Sequence, residues 1–241
     1  MQSVRSLGFR YWDGQACRCI WREVPIPSFK TGTAWYSSSG YFVTAYHVVA
    51  GVGQLELYAG DKQAIPARVV AADEKNDVAI LEADMRGRKL RPIPFAKSSS
   101  SLGARVFTIG YPHSDILGVS PKVTSGEVSG TLPLDPTKVL ISVPVQSGNS
   151  GGPLINMNGE AVGLVIQKLS ATAVFRQTGD LTENTNFALK VRYVDALLDD
   201  LPKLGVNMVF PSIKGTLLED WVGAYKDSVV FVLGRPLAGS K

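Results

Sequence analysis

The sequence predicts an all-β protein with one short helix near its C-terminal end. Apolar runs of strand length, rich in β-branched and aromatic residues, end at Gly, Pro or Ser along most of the chain. They cover residues 40–44, 54–58, 78–81, 105–110, 139–143, 161–166 and 186–191. Many strands at short spacing are typical of a sandwich or barrel and not of alternating βαβ units. The helix is predicted over 191–201, where an apolar stripe at helical spacing ends at Pro202.

The composition is that of an ordinary globular protein of one or two domains. The chain has 241 residues, of which 45% are hydrophobic and 19% charged, with a formal net charge of +4. Lys and Arg are scattered, so the clustered basic surface that binds nucleic acid is not expected. No run of eighteen apolar residues occurs, and a membrane span is therefore not predicted either.

Two cysteines, Cys17 and Cys19, are separated by a single residue. Such neighbours meet disulfide geometry poorly, which favours two free thiols. No second ligand pair has the spacing of a zinc site, so neither a metal nor another cofactor is predicted. The first thirty residues lack a secretory pattern. The compartment is then cytoplasmic, or periplasmic or secreted if an export signal was removed.

The strongest chemical signal is the segment Gln-Ser-Gly-Asn-Ser-Gly-Gly-Pro-Leu at 146–154. A nucleophilic serine must sit on a tight turn with its hydroxyl accessible, and Ser150 lies among glycines that permit such a turn. The N–H groups of Gly148 and Ser150 can then point at the carbonyl oxygen under attack, forming an oxyanion hole. Each such donor contributes about 3–4 kcal/mol of transition-state stabilisation. The plainer interpretation is a Gly-Ser turn joining two strands.

A nucleophilic serine needs a base, and the sequence contains two histidines, His47 and His113. His47 follows an apolar strand and is the predicted base, whereas His113 lies in a loop. The histidine needs an orienting carboxylate, and Asp77 at the start of the strand 78–81 is the predicted one. Asp61 and Asp73 are its rivals, but both stand in more polar stretches.

The chain order His, Asp, Ser is that of the chymotrypsin clan. The segments 44–49, 76–81, 123–129, 148–156 and 159–163 resemble the protease domain of the Deg/HtrA serine proteases. The resemblance implies a chymotrypsin-like double six-stranded β-barrel, with His47 and Asp77 on the first barrel and Ser150 on the second. It also implies a serine endopeptidase that hydrolyses polypeptide substrates through an acyl-enzyme.

The predicted organisation is an N-terminal extension (1–29), an N-terminal barrel (30–100), a C-terminal barrel with the helix (101–203) and a C-terminal extension (204–241). Family members usually carry a PDZ domain after the protease, and 204–241 is too short for one. Many members form trimers through N-terminal aromatic residues. Phe9, Tyr11, Trp12 and Trp21 could serve in such a homo-oligomer or pack in the core.

The primary specificity pocket is expected between the stretches 143–147, 164–167 and 186–188. The predicted pocket residues are Pro144, Val165, Ile166, Gln167 and Phe187. No Asp or Glu occurs in these stretches, which favours uncharged, small to medium apolar substrate side chains.

The residue before the nucleophile is Asn149, where zymogen-type members of the clan carry an Asp that pairs with a new N-terminal ammonium. A neutral amide requires no buried ammonium partner. Activation by proteolysis is therefore not predicted.

Two other functions compete with the protease. A catalytically silent chymotrypsin-fold scaffold that binds peptides would normally have lost a triad residue, and this chain keeps all three. An esterase of another fold formally shares the Gly-x-Ser-x-Gly pattern at 148–152. That fold places its histidine after the serine, whereas both histidines here precede Ser150.

Overall fold

A computed structural model describes residues 3–7, 11–12, 17–18, 21–25, 29–60, 63–85, 87–133, 135–166, 186–204, 206, 213 and 217–236. Its first four strands are β1 (Ser3–Leu7), β2 (Tyr11–Trp12), β3 (Cys17–Arg18) and β4 (Trp21–Pro25). They form two antiparallel pairs, β1 with β4 and β2 with β3. Of the residues named in the predictions on the two thiols and the N-terminal aromatic residues, Cys19 and Phe9 lie outside the described residues, and the side chains of the others are not described either.

Twelve further strands and four short helices follow within the described part of the chain. In chain order they are β5 (Lys30–Tyr36), β6 (Phe42–Thr44), α1 (Tyr46–Val49), β7 (Val52–Tyr58), β8 (Ala64–Asp73), β9 (Val78–Ala83), β10 (Arg105–Gly110), α2 (Ser114–Leu117), β11 (Lys122–Thr131), β12 (Lys138–Ile141), β13 (Pro153–Asn156), β14 (Ala161–Ile166), β15 (Asn186–Lys190), α3 (Val191–Leu198), α4 (Leu218–Tyr225) and β16 (Val229–Pro236). No helix among the described residues is long and apolar enough to cross a membrane.

The strands close into two six-stranded antiparallel barrels, which confirms the predicted fold class. The second barrel has the order β10-β11-β12-β15-β14-β13 and uses consecutive strands of the chain. The predicted helix is α3, which ends at Leu198 and continues as a turn to Leu201. It is shorter than expected because Pro202 has no N–H to bond the Leu198 carbonyl, and its ring clashes with that carbonyl.

The first barrel takes its sixth strand from the end of the described chain. Its order is β16-β5-β6-β9-β8-β7, so β16 lies between β5 and β7 and closes the barrel. Val230 pairs with Ala34 on β5, and Val232 pairs with Leu57 on β7. All four of these side chains are buried. The segment boundaries predicted from the sequence stay a prediction, but part of 204–241 belongs to this barrel.

The C-terminal segment also holds the two barrels together. On α4, the Trp221 indole N–H donates to Met157 O at 3.1 Å, and the Tyr225 hydroxyl donates to Gly159 O at 2.8 Å. These bonds attach α4 to the turn between β13 and β14 of the second barrel. The chain then passes directly into β16 of the first barrel, so the segment 217–236 bridges both.

Phe231 on β16 tests the contribution of this strand to stability. It is buried, and its ring lies 6.2 Å from the Tyr58 ring and 5.8 Å from the Tyr111 ring. We expect Phe231→Ala to lower the free energy of unfolding by about 3–5 kcal/mol, because it removes a large buried ring and leaves a cavity. Chemical denaturation measures this difference.

The matched control is Phe29→Ala, since Phe29 is 51% exposed. Its ring faces the Arg235 guanidinium at 5.8 Å, a contact that contributes about 0.5–1 kcal/mol at an exposed site. Equal losses for the two variants would contradict the role of β16 as a core strand.

Candidate active site

Strand register brings His47 and Asp77 together. The strands β6 and β9 are antiparallel neighbours, and Thr44 at the end of β6 pairs with Ala79 near the start of β9. The residues that follow Thr44 and those that precede Ala79 therefore leave the sheet at the same edge. This edge carries α1 with His47 on one side and Asp77 on the other.

The His47 and Asp77 side chains make a two-point contact. His47 Nδ1 lies 2.7 Å from Asp77 Oδ2, and the His47 backbone N–H donates to Asp77 Oδ1 at 2.9 Å. An ionised carboxylate only accepts hydrogen bonds, so the ring proton lies on Nδ1. In the neutral imidazole, Nε2 is then free of a proton and can accept one.

The backbone at Asp77 is set by a tight turn. Asp77 has a φ of 56°, a left-handed conformation that is uncommon for residues other than glycine. The turn is closed by the rival acid, since Asp73 Oδ1 accepts from the Asn76 N–H at 3.1 Å. Asp73 therefore shapes the loop, while Asp77 contacts the histidine. The other rival, Asp61, lies outside the described residues.

Ser150 lies on a turn held by its own backbone. The Asn149 N–H donates to Gln146 O at 3.0 Å, and the Gly152 N–H donates to Asn149 O at 2.9 Å. The turn is also paired with β14, because Gly151 and Gly152 exchange two backbone hydrogen bonds with Val165, both at 2.8 Å. Ser150 is 8% exposed, so it sits in a fixed and mostly enclosed position.

The peptide between Ser147 and Gly148 has a defined orientation. The Ser147 carbonyl accepts from the His113 N–H at 2.9 Å. A trans peptide is planar with its C=O and N–H opposed, so the Gly148 N–H points away from His113. Within the part of the chain that the structure describes, neither the Gly148 N–H nor the Ser150 N–H donates to a backbone carbonyl. Both predicted oxyanion-hole donors are thus without a backbone acceptor among the described residues.

Gly148 permits the close approach of a neighbouring segment. Its φ is 99°, and a Cβ at this position would lie 2.3 Å from Tyr111 O. No side chain fits there, which explains in physical terms why the serine segment needs glycine at this position.

The serine turn of the second barrel lies directly on the histidine edge of the first. The Thr33 N–H on β5 donates to Ser150 O at 3.0 Å. A Cβ on Gly151 would lie 2.1 Å from Thr33 O and 2.9 Å from Ala45 N, two residues before His47. The structure thus places the turn that carries Ser150 against the segment that leads into His47, at the junction between the barrels.

Asn149 is buried beside Ser150 as a neutral side chain. It is 3% exposed, and its Oδ1 lies against Gly110, where a Cβ would approach it to 2.6 Å. A carboxylate here would be a buried charge and would need a cationic partner. The amide carries no such requirement.

Tyr111 anchors the loop beneath Gly148 to the first barrel. Its hydroxyl donates to Val229 O on β16 at 2.9 Å. Burial raises the pKa of the Tyr111 phenol, and the negative charge of Asp227 adds to this effect. The phenol therefore stays protonated and keeps this hydrogen bond across the pH range of a folded protein.

The described part of the predicted pocket adjoins the serine turn through Val165. Ile166 and Phe187 pair across β14 and β15 and are buried, as is Val165, whereas Pro144 is exposed. Gln167 lies outside the described residues. The assignment of these residues to a specificity pocket stays a prediction.

Sequence reasoning missed Thr33, and it missed the role of the His113 backbone. The sequence pattern presents His113 only as a possible base, yet its N–H orients the Ser147 peptide. The available signal for Thr33 was a hydroxyl residue directly before the apolar run 34–36. That signal is weak, since its partners are more than seventy residues away in the chain.

A model of the trypsin-like peptidase domain family matches residues 31–164, more than half of the chain. The chain belongs to this family, and its domain is a serine peptidase domain of the trypsin-like type.

Protease Do-like 1 of Arabidopsis thaliana is 33% identical over 194 residues, which cover 76% of this chain and 41% of that protein. Serine protease Do-like HtrB of Bacillus subtilis is 31% identical over 216 residues, which cover 80% of this chain and 44% of that protein. These relatives confirm the predicted resemblance to Deg/HtrA proteases.

The solved structure of a serine endoprotease from Yersinia pestis has the same fold. It superposes with a TM-score of 0.57 at 24% identity and covers 71% of this chain and 62% of that chain. The chain spans less than half the length of the two curated relatives.

Gly151→Ala tests whether the serine turn must touch the first barrel. The new methyl would collide with Thr33 O, and the φ of 88° is itself unfavourable for alanine. We expect a loss of unfolding free energy well above the roughly 1–2 kcal/mol of left-handed strain alone. Thermal or chemical unfolding measures it.

Gly103→Ala is the control, because Gly103 has a φ of 78° and a methyl group added there would meet no atom within 4 Å. The Gly103→Ala variant therefore has the backbone strain of an alanine in a left-handed conformation but no steric collision of its methyl group. If both variants lost the same free energy, the close contact between the barrels would be refuted.

Proposed function

We propose that this protein is a serine endopeptidase that uses Ser150 as nucleophile, His47 as general base and Asp77 as the orienting carboxylate. The observation that carries the proposal is the His47–Asp77 contact at 2.7 Å beside a serine turn bound to the same edge of the first barrel. The family match and the Deg/HtrA relatives support the same activity.

The proposed reaction starts with attack of Ser150 Oγ on the carbonyl carbon of a peptide bond. His47 Nε2 takes the hydroxyl proton, and Asp77 stabilises the imidazolium that results. The tetrahedral intermediate collapses when His47 returns this proton to the amine leaving group, leaving an acyl-enzyme. Water, deprotonated by His47, then attacks the ester and releases Ser150.

Negative charge develops on the carbonyl oxygen during both attacks. The N–H groups of Gly148 and Ser150 are the proposed donors to this oxygen. Their directions are set before substrate binds, because the Ser147 carbonyl is held by His113 and the Ser150 turn by β14. Donors fixed in advance need no reorganisation when charge appears, which makes them effective.

The first test is covalent labelling with a fluorophosphonate, which reacts with activated serines. We expect the wild type to be labelled and Ser150→Ala to be unlabelled, because the nucleophile is gone. We expect His47→Ala and Asp77→Asn to lower kcat on a peptide substrate by about 10⁴-fold or more, since the triad acts as a unit.

The matched control is Ser99→Ala, in the exposed serine run far along the chain from the turn. It should label as the wild type does. Labelling that persists in Ser150→Ala would refute the assigned nucleophile. A folded wild type that neither labels nor cleaves peptides would instead indicate a peptide-binding scaffold.

The specificity pocket gives a second test. The stretches that wall it carry no Asp or Glu, and Val165, Ile166 and Phe187 are apolar and buried. We expect a peptide library to favour small or medium apolar residues before the cleaved bond. Matched peptides with Val or Lys there should differ in kcat/KM by about 10-fold or more, because an ammonium would be desolvated without a partner. A preference for Lys or Arg would refute this pocket.

A further inference from the structure

Thr33 makes an unusual number of hydrogen bonds for one buried residue. It lies on β5 of the first barrel and is 0% exposed. Its hydroxyl donates to Gly148 O at 2.7 Å and accepts from the Tyr111 N–H at 3.1 Å. Its backbone N–H donates to Ser150 O at 3.0 Å. Three of its hydrogen bonds therefore end on the serine turn or on the segment directly beneath it.

The Thr33 bonds complete the restraint of the serine turn. Four successive carbonyls, from Ser147 to Ser150, each accept a hydrogen bond. His113 supplies one donor, and Gly152 within the turn supplies another. Thr33 supplies the remaining two, to Gly148 O through its hydroxyl and to Ser150 O through its N–H.

These two bonds restrain the stretch of backbone that carries Ser150 and the two proposed oxyanion-hole donors. The Gly148 N–H lies in the 147–148 peptide plane, which His113 holds, and Thr33 holds the next plane, between Gly148 and Asn149. Thr33 therefore restrains the backbone that connects the Gly148 amide to the Ser150 amide. The bond to Ser150 O fixes the residue that carries the nucleophile relative to β5. Because β5 pairs with β6, which leads into His47, the same residue sets the distance between nucleophile and base.

We propose that Thr33 is a positioning residue for the reaction: by fixing the 148–149 and 150–151 peptide planes, it keeps the adjoining Gly148 and Ser150 amides and the Ser150 side chain in their reactive arrangement. The inference rests on the proposed protease function. A hydroxyl is required because the site contains a buried acceptor, Gly148 O, and a buried donor, Tyr111 N–H, and one group must satisfy both. Valine has the shape of threonine but can satisfy neither, so the 148–149 peptide would turn to find another partner.

The decisive comparison is Thr33→Val against Thr33→Ser, with Thr44→Val as the matched control. Thr44 is also fully buried and on the first barrel, and its hydroxyl donates to Thr33 O at 2.7 Å. Thr44→Val thus removes one buried threonine hydrogen bond without touching Gly148 O or Tyr111 N. Peptide hydrolysis, fluorophosphonate labelling and the unfolding midpoint are measured for all variants.

We expect Thr33→Val to lower kcat by about 100-fold, as expected for a displaced oxyanion donor or a misplaced nucleophile. KM should change by less than about threefold, because the lost interactions act in the transition state. Thr33→Ser should recover most of the rate, and Thr44→Val should lose far less rate for a similar fall in the unfolding midpoint. Equal kcat for Thr33→Val and the wild type would overturn the proposal, and so would equal losses for Thr33→Val and Thr44→Val.

Two further measurements keep the test decisive. If Thr33→Val does not fold, Thr33→Cys replaces it, because a thiol is a much weaker hydrogen-bond donor of similar size. Equal kcat for the Cys and Ser variants would then overturn the proposal.

Hydrogen–deuterium exchange over 146–152 separates this proposal from the protease function. If the wild type proves inactive, the protease function fails, yet faster exchange in Thr33→Val than in Thr33→Ser still supports positioning by Thr33. Equal exchange in these two variants would refute it.

Discussion

The site depends on one buried seam, where β5 of the first barrel meets the serine turn of the second. The backbone N–H of Thr33 donates to Ser150 O across this seam, and Gly151 lies against Thr33 O and Ala45 N. Each barrel is rigid because it is a closed sheet, and closure leaves no free strand edges. His47 on one closed barrel and Ser150 on the other can be set only where the barrels touch, so the seam determines the separation of the proposed base and the proposed nucleophile.

Charge is used sparingly around this seam. The pair of His47 and Asp77 keeps partial contact with solvent, with side-chain exposures of 39% and 26%. Next to Ser150, which is buried, the chain carries the neutral Asn149 and the backbone groups of glycines. An isolated buried charge costs several kcal/mol or more, whereas peptide dipoles can be held in place by hydrogen bonds. The arrangement therefore gains electrostatic stabilisation from oriented dipoles without burying a lone charge.

Much of the fold and the contact between His47 and Asp77 could be predicted from the sequence, because both follow from local pattern. The apolar runs indicated the strands, and each of the two residues stands beside a strand that is itself recognisable. Thr33 could not be found in this way, since its hydroxyl partner Gly148 is 115 residues away and the contact exists only after both barrels close. The place of β16 in the first barrel was missed for the same reason. The run at 229–233 has the apolar and β-branched composition of a strand, but nothing local to it identifies β5 and β7 as its neighbours.

The position of β16 has a consequence for how the protein is made. Its partners on β5 and β7 leave the ribosome about 170 to 200 residues earlier than β16 itself. Until residues 229–236 emerge, the strands of the first barrel have two unpaired edges, and the carbonyl of Val229 that receives the Tyr111 hydroxyl does not yet exist. The second barrel, by contrast, is complete in sequence once Lys190 has been added. The junction between the proposed base and the proposed nucleophile can therefore be completed only after residues 229–236 have been made and β16 has joined β5 and β7.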